Sequence, residues 1–294
     1  MGTPETFEIR LLTEADLPAA MRLKELAHWN QTEADWRRLL RLEPRGCFAA
    51  TAGGRVVATT TTTRFGRELA WVGMVLVEPD YRRRGIATRL LRAALDHLRG
   101  AGVPVVKLDA TPAGRPVYEA LGFEAESLVE RWAGEARPAG DATVIESDDT
   151  PVVEMGAASR PELFALDRRA FGADRSALLD SLIAEACVAP LVCVAPGGGL
   201  KGYVLARRGT AAAYVGPLVA TDSAAATALL DAVLGRLAGR PVYVDLNTRF
   251  ESGEPALTAR GLAKQRELIR MSYGVRGRAV TSAAVFAIAG PEVG

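Results

Sequence analysis

Six consecutive residues, Arg82–Arg83–Arg84–Gly85–Ile86–Ala87, carry the clearest chemistry in this 294-residue chain. They follow an apolar stretch that ends at Val77 and lead through Thr88 into Leu90 and Leu91 at helical spacing. The first amides of a helix have no partner inside it, and the helix dipole adds partial positive charge at that end. Together they make a seat for a pyrophosphate. Gly85 and the small Ala87 let phosphate oxygens approach the backbone, while Arg82, Arg83 and Arg84 supply flanking charge. The competing reading is a solvated arginine turn that only caps a surface helix.

The elements that must hold this loop are legible from periodicity. Residues 7–12 form a short apolar strand, and Thr13 with Asp16 and Thr32 with Asp35 each resemble the start of a helix. Strands are expected around Cys47–Ala52 and Val56–Thr63, joined by the turn signal Gly53–Gly54, and again at Trp71–Val77. A helix over 85–99 with Leu90, Leu91, Ala94, Leu95 and Leu98 on one face follows, then a buried strand at Val105–Ala110. A short helix Arg115–Leu121 stops at Gly122. Residues 134–151 are polar and rich in Pro and Gly, so a linker is expected at 137–150 between domains 1–136 and 151–294.

The second domain repeats the first. WVGMVLV at 71–77 matches YVGPLVA at 214–220, and GVPVVKLDAT at 102–111 matches GRPVYVDLNT at 239–248. The offset is 143 for the strand (214 minus 71) and 139 for the helix (Leu229 against Leu90), so the second copy lacks four residues where the arginine-glycine loop lies. It has T221-D-S-A-A-A-T there and Leu257 at the position of Tyr118. The second copy is read as a catalytically silent domain in which Asp245 and Asn247 either contact an acceptor or only satisfy backbone groups. Gly197–Gly199 is read as a hairpin turn.

Composition removes other classes. Residues 1–147 hold 20 basic and 20 acidic side chains, and 148–294 hold 16 and 15, so neither half is a basic surface for nucleic acid or an anionic membrane. Three cysteines without metal spacing argue against zinc or a disulfide framework. With no signal-like start and no membrane-length apolar run, a cytoplasmic protein without a metal is expected.

Arg-x-x-Gly-x-Ala after an apolar strand resembles the Arg/Gln-x-x-Gly-x-Gly/Ala signature of the GCN5-related N-acetyltransferases (GNAT). T111-P-A-G-R-P-V-Y118-E-A-L-G-F123 resembles that family's Asn-x-x-Ala-x-x-Leu-Tyr-x-x-x-Gly-Phe, with Thr111 where Asn is usual. The resemblance covers about residues 7–133, and W29-N-Q-T-E-A-D-W36 with V242-Y-V-D-L-N extends it to a bacterial subgroup with two such domains in tandem and a degenerate second half. It implies an α/β (α+β) fold, each domain a mixed, mostly antiparallel sheet flanked by helices. It implies acetyl-CoA as co-substrate, held by Val75, Leu76 and Val77, by Arg82 to Thr88 and by Thr111, and an amine acceptor on a small molecule or peptide.

By the same resemblance Tyr118 protonates the departing thiolate, the alternative being a ring packed on the sheet. Glu68 is the best-placed carboxylate for a base, and Asp109 and His28 are others; each has an equally simple reading as a turn, a buried partner or a surface residue. Asn30, Gln31, Asp35 and Trp36 fall where the family places acceptor-binding helices. Asn30, Trp36 and Asp109 are thus the expected acceptor contacts, with a capped helix and Trp36 in the core as the alternative. A monomer or homodimer is expected. An acyl-CoA sensor without turnover is the alternative function.

Overall fold

The computed structural model describes residues 7–137, 151–248, 250, 252–275 and 284–294. In chain order the first repeat contains β1 (Phe7–Leu11), α1 (Leu17–Leu26), α2 (Glu33–Leu42), β2 (Phe48–Ala52), β3 (Arg55–Phe65), β4 (Leu69–Val77), α3 (Ile86–Gly100), β5 (Val105–Ala110), α4 (Arg115–Glu119) and β6 (Glu124–Glu135). The second contains β7 (Val152–Glu154), α5 (Arg160–Phe171), α6 (Ser176–Ala184), β8 (Leu191–Val194), β9 (Leu200–Arg207), β10 (Ala213–Ala220), α7 (Ser223–Arg236), β11 (Pro241–Asn247), α8 (Gly253–Ala259), β12 (Leu262–Gly274) and β13 (Val285–Ala287). No helix of the described residues is long and apolar enough to cross a membrane. The three cysteines are free thiols, and burial pushes Cys47 up to about 12.

The described residues form two compact units. The first takes residues up to Glu126 with 270–275 and Pro291–Gly294, and the second takes Ser127–Ile269 with 284–290. These units do not part at 137–150. Residues 138–150 lie outside the described residues, and the backbone N–H of Arg137 donates to Arg260 O at 2.9 Å within the second unit. The reason is an exchange of final strands. In the first unit the neighbour of β5 is the end of β12, which belongs to the second repeat. In the second unit the antiparallel neighbour of β11 is β6, which belongs to the first repeat, with Tyr243 opposite Ala133.

In the first unit β1 to β4 are antiparallel neighbours and β5 lies parallel to β4. Gly53 and Gly54 both have positive φ, +55° and +76°, as the tight hairpin joining β2 to β3 requires. The valine- and threonine-rich β3 is covered on both faces by α1, α2 and α3. Helix α3 buries Ile86, Leu90, Leu91, Ala94, Leu95 and Leu98, the apolar stripe expected of a helix lying on a sheet. Alternation sorts the β3 threonines. Thr62 donates to Gly46 O at 2.9 Å, where the His97 ring of α3 also comes close to Gly46, so Thr61 and Thr63 face away from α3.

Each exchanged strand is held by a buried ion pair. Arg270 of β12 donates through Nε and Nη2 to the two carboxylate oxygens of Asp109 at 2.9 Å each, and both side chains are sealed from solvent. The Arg270 guanidinium also lies 4.7 Å over the Trp71 ring. In the second unit Arg131 of β6 makes the same two-pronged contact with Asp245, at 2.7 and 2.6 Å. Strand register pairs Trp71 with Lys107 and Tyr214 with Tyr243, which makes Asp109 and Asp245 equivalent, one residue away from the gapless sequence match. Replacing Arg270 by Met leaves a buried carboxylate uncompensated, and an expected loss of about 3–5 kcal/mol on urea unfolding checks the pair.

Candidate functional site

Strands β4 and β5 pair only from Leu69 to Trp71, against Val105 to Lys107, and then diverge. Beyond that point β4 also carries a bulge against β3. Thr59 faces Leu76 and Thr61 faces Gly73, so Met74 and Val75 together oppose Thr60. Met74 has φ +49°, and its carbonyl accepts the Thr59 hydroxyl at 2.9 Å. The buried hydroxyl on β3 thus holds the bulge, and the backbone of 72–77 is left without a β5 partner. Val75, Leu76 and Val77 lie on this open edge.

The loop after β4 is tied back to it by Arg82, whose Nε donates to Val77 O at 3.1 Å. Arg83 and Gly85 both have positive φ, +64° and +75°. Gly85 is the N-cap of α3 and offers no side-chain cap, and a Cβ there would meet nothing within 4 Å. The first amides of Ile86, Ala87 and Thr88 therefore open onto free space beside exposed Arg82, Arg83 and Arg84. Arg84 also lies 5.1 Å over the Tyr81 ring. Burial works against the Glu78 carboxylate, but hydrogen bonds from Arg22 and Arg55 hold it below the usual range, and those two cations offset its charge near the loop.

Thr111 and Tyr118 stand on the far side of the opening, after β5. Thr111 Oγ1 accepts from Gly114 N at 3.2 Å and shapes the entry to α4. Tyr118 packs edge-on to Phe123 with ring centres 6.0 Å apart, and its hydroxyl has no hydrogen-bond partner among the described residues. Desolvation pushes the phenol above its ordinary value, so it holds its proton through the alkaline range.

The expected acceptor residues separate. Glu68 is exposed in the turn before β4, its carboxylate accepting from Arg67 N at 3.0 Å. It lies at the other end of β4 from the bulge, about 20 Å away at 3.3 Å per residue, and is not brought to the site. His28 is exposed. Trp36 is fully buried in the core, so its ring face is closed to a ligand, and Asp35 is spent on the Thr32 cap and on Arg38. Asp109 is spent on Arg270. Asn30 and Gln31 are buried.

Glu292, just over 200 residues after the loop, comes to lie beside β4 in a way that no local pattern announced. The segment Pro291–Gly294 lies against β4: Trp71 Nε1 donates to Pro291 O at 3.0 Å, and a Cβ on Gly73 would fall 2.6 Å from Glu292 O. Glu292 is 2% exposed, and its Oε2 accepts from Gln31 Nε2 at 2.7 Å. A lone charged residue after the apolar run Ala283–Ala289 was the available signal, but no spacing tied it to β4.

The second unit differs at each equivalent point. The N-cap of α7 is Asp222, whose carboxylate accepts from Ala225 N at 2.9 Å and sits 3.2 Å from Lys201 Nζ. A negative side chain therefore fills the seat that Gly85 leaves open. β10 and β11 pair in parallel only from Ala213 to Val215, and β13 then bonds to both, with Ala287 opposite Leu218 and Leu246. Asp245 binds Arg131 and the Tyr214 hydroxyl, Asn247 reaches Val285 O, and Leu257 is buried. Among the described residues no group of three His, Cys, Asp or Glu gathers as for a metal.

Comparison with known proteins agrees with two related units. A model described as "Acetyltransferase (GNAT) family" matches residues 10–123, and one described as "Acetyltransferase (GNAT) domain" matches 163–287. An uncharacterized N-acetyltransferase, YitH, of Bacillus subtilis is 26% identical over 261 residues, 88% of this chain and 89% of its own. A putative acetyltransferase from Pyrococcus horikoshii has the same fold, with a TM-score of 0.81 at 21% identity over 100% of this chain and 98% of that one. A tandem GNAT protein from the clavulanic acid biosynthesis pathway superposes with a TM-score of 0.62 at 18% identity, covering 92% and 98%. Gly73→Ala tests the seat of the C-terminal segment: the added methyl must displace Glu292, and an expected cost of about 1–3 kcal/mol appears on urea unfolding.

Proposed function

We propose that this chain, which belongs to the GNAT acetyltransferase family and carries two of its domains in tandem, moves an acetyl group from acetyl-CoA to a primary amine in its first unit. The observation that carries this reading is the open helix start at Gly85 set directly after a strand that has left its neighbour. The pyrophosphate of coenzyme A fits the amides from Gly85 to Thr88 with Arg82, Arg83 and Arg84 around it. The pantetheine arm, itself an amide chain, pairs with the free edge of Val75, Leu76 and Val77, and Thr111 borders the far side. The thioester then lies at the Met74–Val75 bulge, where a backbone amide polarises its carbonyl.

Tyr118 acts as general acid on the leaving sulfur. Its desolvated phenol is protonated at working pH and has a hydroxyl free to donate. The second unit is catalytically silent in this reading, because Asp222 repels a phosphate and β13 fills the gap between β10 and β11.

Incubation with acetyl-CoA and a panel of primary amines is expected to release free thiol; tight acetyl-CoA binding with no thiol release would instead indicate a sensor. Tyr118→Phe is expected to lower kcat by about 100-fold, with acetyl-CoA affinity unchanged by calorimetry and no loss of wild-type rate from tyrosine ionisation below about pH 10. Gly85→Asp copies the second unit's cap, and its acetyl-CoA affinity is expected to fall by about tenfold or more, as an opposing charge in the seat requires.

A further inference from the structure

The second unit holds a guanidinium for which its sheet supplies no counter-charge. Along β11, Val242, Val244 and Leu246 are buried in one apolar core with the α7 leucines, so by alternation Tyr243 and Asp245 project from the other face. Arg131 of β6 lies on that face, opposite Asp245 in the register. It takes both carboxylate oxygens, its guanidinium lies 5.1 Å over the Tyr243 ring, and the Tyr214 hydroxyl donates to the same carboxylate at 2.9 Å. Arg266 of β12 joins this group. Gly134 of β6 lies against Gly261 and Leu262, and Val129 packs with Leu268, so the two neighbouring strands run in opposite directions. Two residues on from the Val129–Leu268 contact, on the same face, Arg131 and Arg266 come side by side.

Arg266 makes no hydrogen bond and no ion pair among the described residues, and its Nε is sealed from solvent. The terminal nitrogens of Arg266 and the hydroxyl of Tyr243 are also unbonded there, but they reach solvent, on residues that are each half-buried. Burial first, and then the charge of Arg131, push the Arg266 guanidinium below its usual value. Asp245 works the other way, but both of its oxygens are held by Arg131. A cation kept partly out of water, repelled by its neighbour and unbonded, is costly. By contrast Arg38, Arg175 and Arg270 each meet an aspartate, and Lys107 meets Glu126.

We infer that Arg266 and Tyr243 form a binding site for a small monocarboxylate on this face of the second unit. The terminal nitrogens of a guanidinium make a planar fork that matches the two oxygens of a carboxylate, and one negative charge balances the one unmatched cation. The Tyr243 hydroxyl supplies a further donor. A phosphate dianion would bring a second charge that this face does not match. The ligand thus does for Arg266 what Asp245 does for Arg131. None of these residues takes part in the cofactor seat, so the site stands or falls independently of the transferase reading.

The test is titration of the full chain with benzoate at fixed ionic strength, followed by calorimetry and by melting temperature. Benzoate is expected to saturate one site and to raise the melting temperature, because it binds the folded state alone. Arg266→Gln is expected to lower benzoate affinity by about tenfold or more. Without ligand, that variant is expected to melt at or above the wild-type temperature, since an unmatched cation has been removed. No saturable benzoate binding by wild type overturns the inference, and so does equal binding by Arg266→Gln. A lowered melting temperature of the ligand-free variant also overturns it, since the arginine would then be structural. Inorganic phosphate bound more tightly than benzoate overturns the carboxylate assignment. Should Arg266→Gln not fold, Tyr243→Phe decides: benzoate affinity lowered by about threefold or more supports the site, and unchanged affinity overturns it.

Discussion

The buried arginine–aspartate pair is the constraint on which both units depend. A guanidinium and a carboxylate withdrawn from water are each costly, and they are tolerated together only when both charges and both pairs of hydrogen-bonding groups are matched. Arg270 with Asp109 and Arg131 with Asp245 meet that condition at equivalent points of the two units. In each case the aspartate lies on the strand next to the opening and the arginine arrives on a strand from the other repeat. The pair therefore requires an arginine-bearing strand beside each aspartate, a condition that the final strand of either repeat meets. It also engages both carboxylate oxygens of Asp109, the residue expected to face an acceptor.

The two units show how little separates a helix start that is open from one that is closed by its own cap. Both have a strand that leaves its parallel neighbour after three paired residues and a helix that follows. In the first unit the helix start is a glycine at φ +75° with open space above it; in the second it is an aspartate that bonds to its own helix. The second helix thus satisfies one of its orphan amides internally and presents negative charge outward, which strengthens the helix and discourages an anion at the same time. β13 completes the change by using the backbone groups that the divergence of β10 and β11 would have left free.

Much of this was legible in the linear order. The arginine-glycine loop, the turn at Gly53–Gly54, the helix beginning near Gly85 and the strand Val105–Ala110 are all local patterns, and each is found where periodicity and turn chemistry put it. The missing four residues of the second copy were visible by comparing the chain with itself. Long-range partners were not legible. Asp109 looked like a residue beside a cleft because nothing within β5 announces an arginine 161 positions later. Trp36 had the right type for an ammonium, but the depth of α2 decides its role, and depth is a tertiary property. Glu68 was nearest to β4 in sequence, yet a strand is straight, and adjacency to its start is distance from its end. Glu292 had no local context at all.

Gly73 and Gly216 occupy equivalent positions in the two copies of the repeat, and a side chain on either would collide with the last few residues of the described chain: Glu292 against Gly73, and Ile288 O at 2.1 Å from a Cβ on Gly216. The first unit owes its completing strand, the arginine that neutralises Asp109 and the carboxylate beside its bulge to positions encoded after its own repeat has ended. Duplication usually frees one copy to drift or be deleted. Here that freedom is restricted: a chain cut after the first repeat would lack the strand that completes the first unit and the arginine that neutralises Asp109.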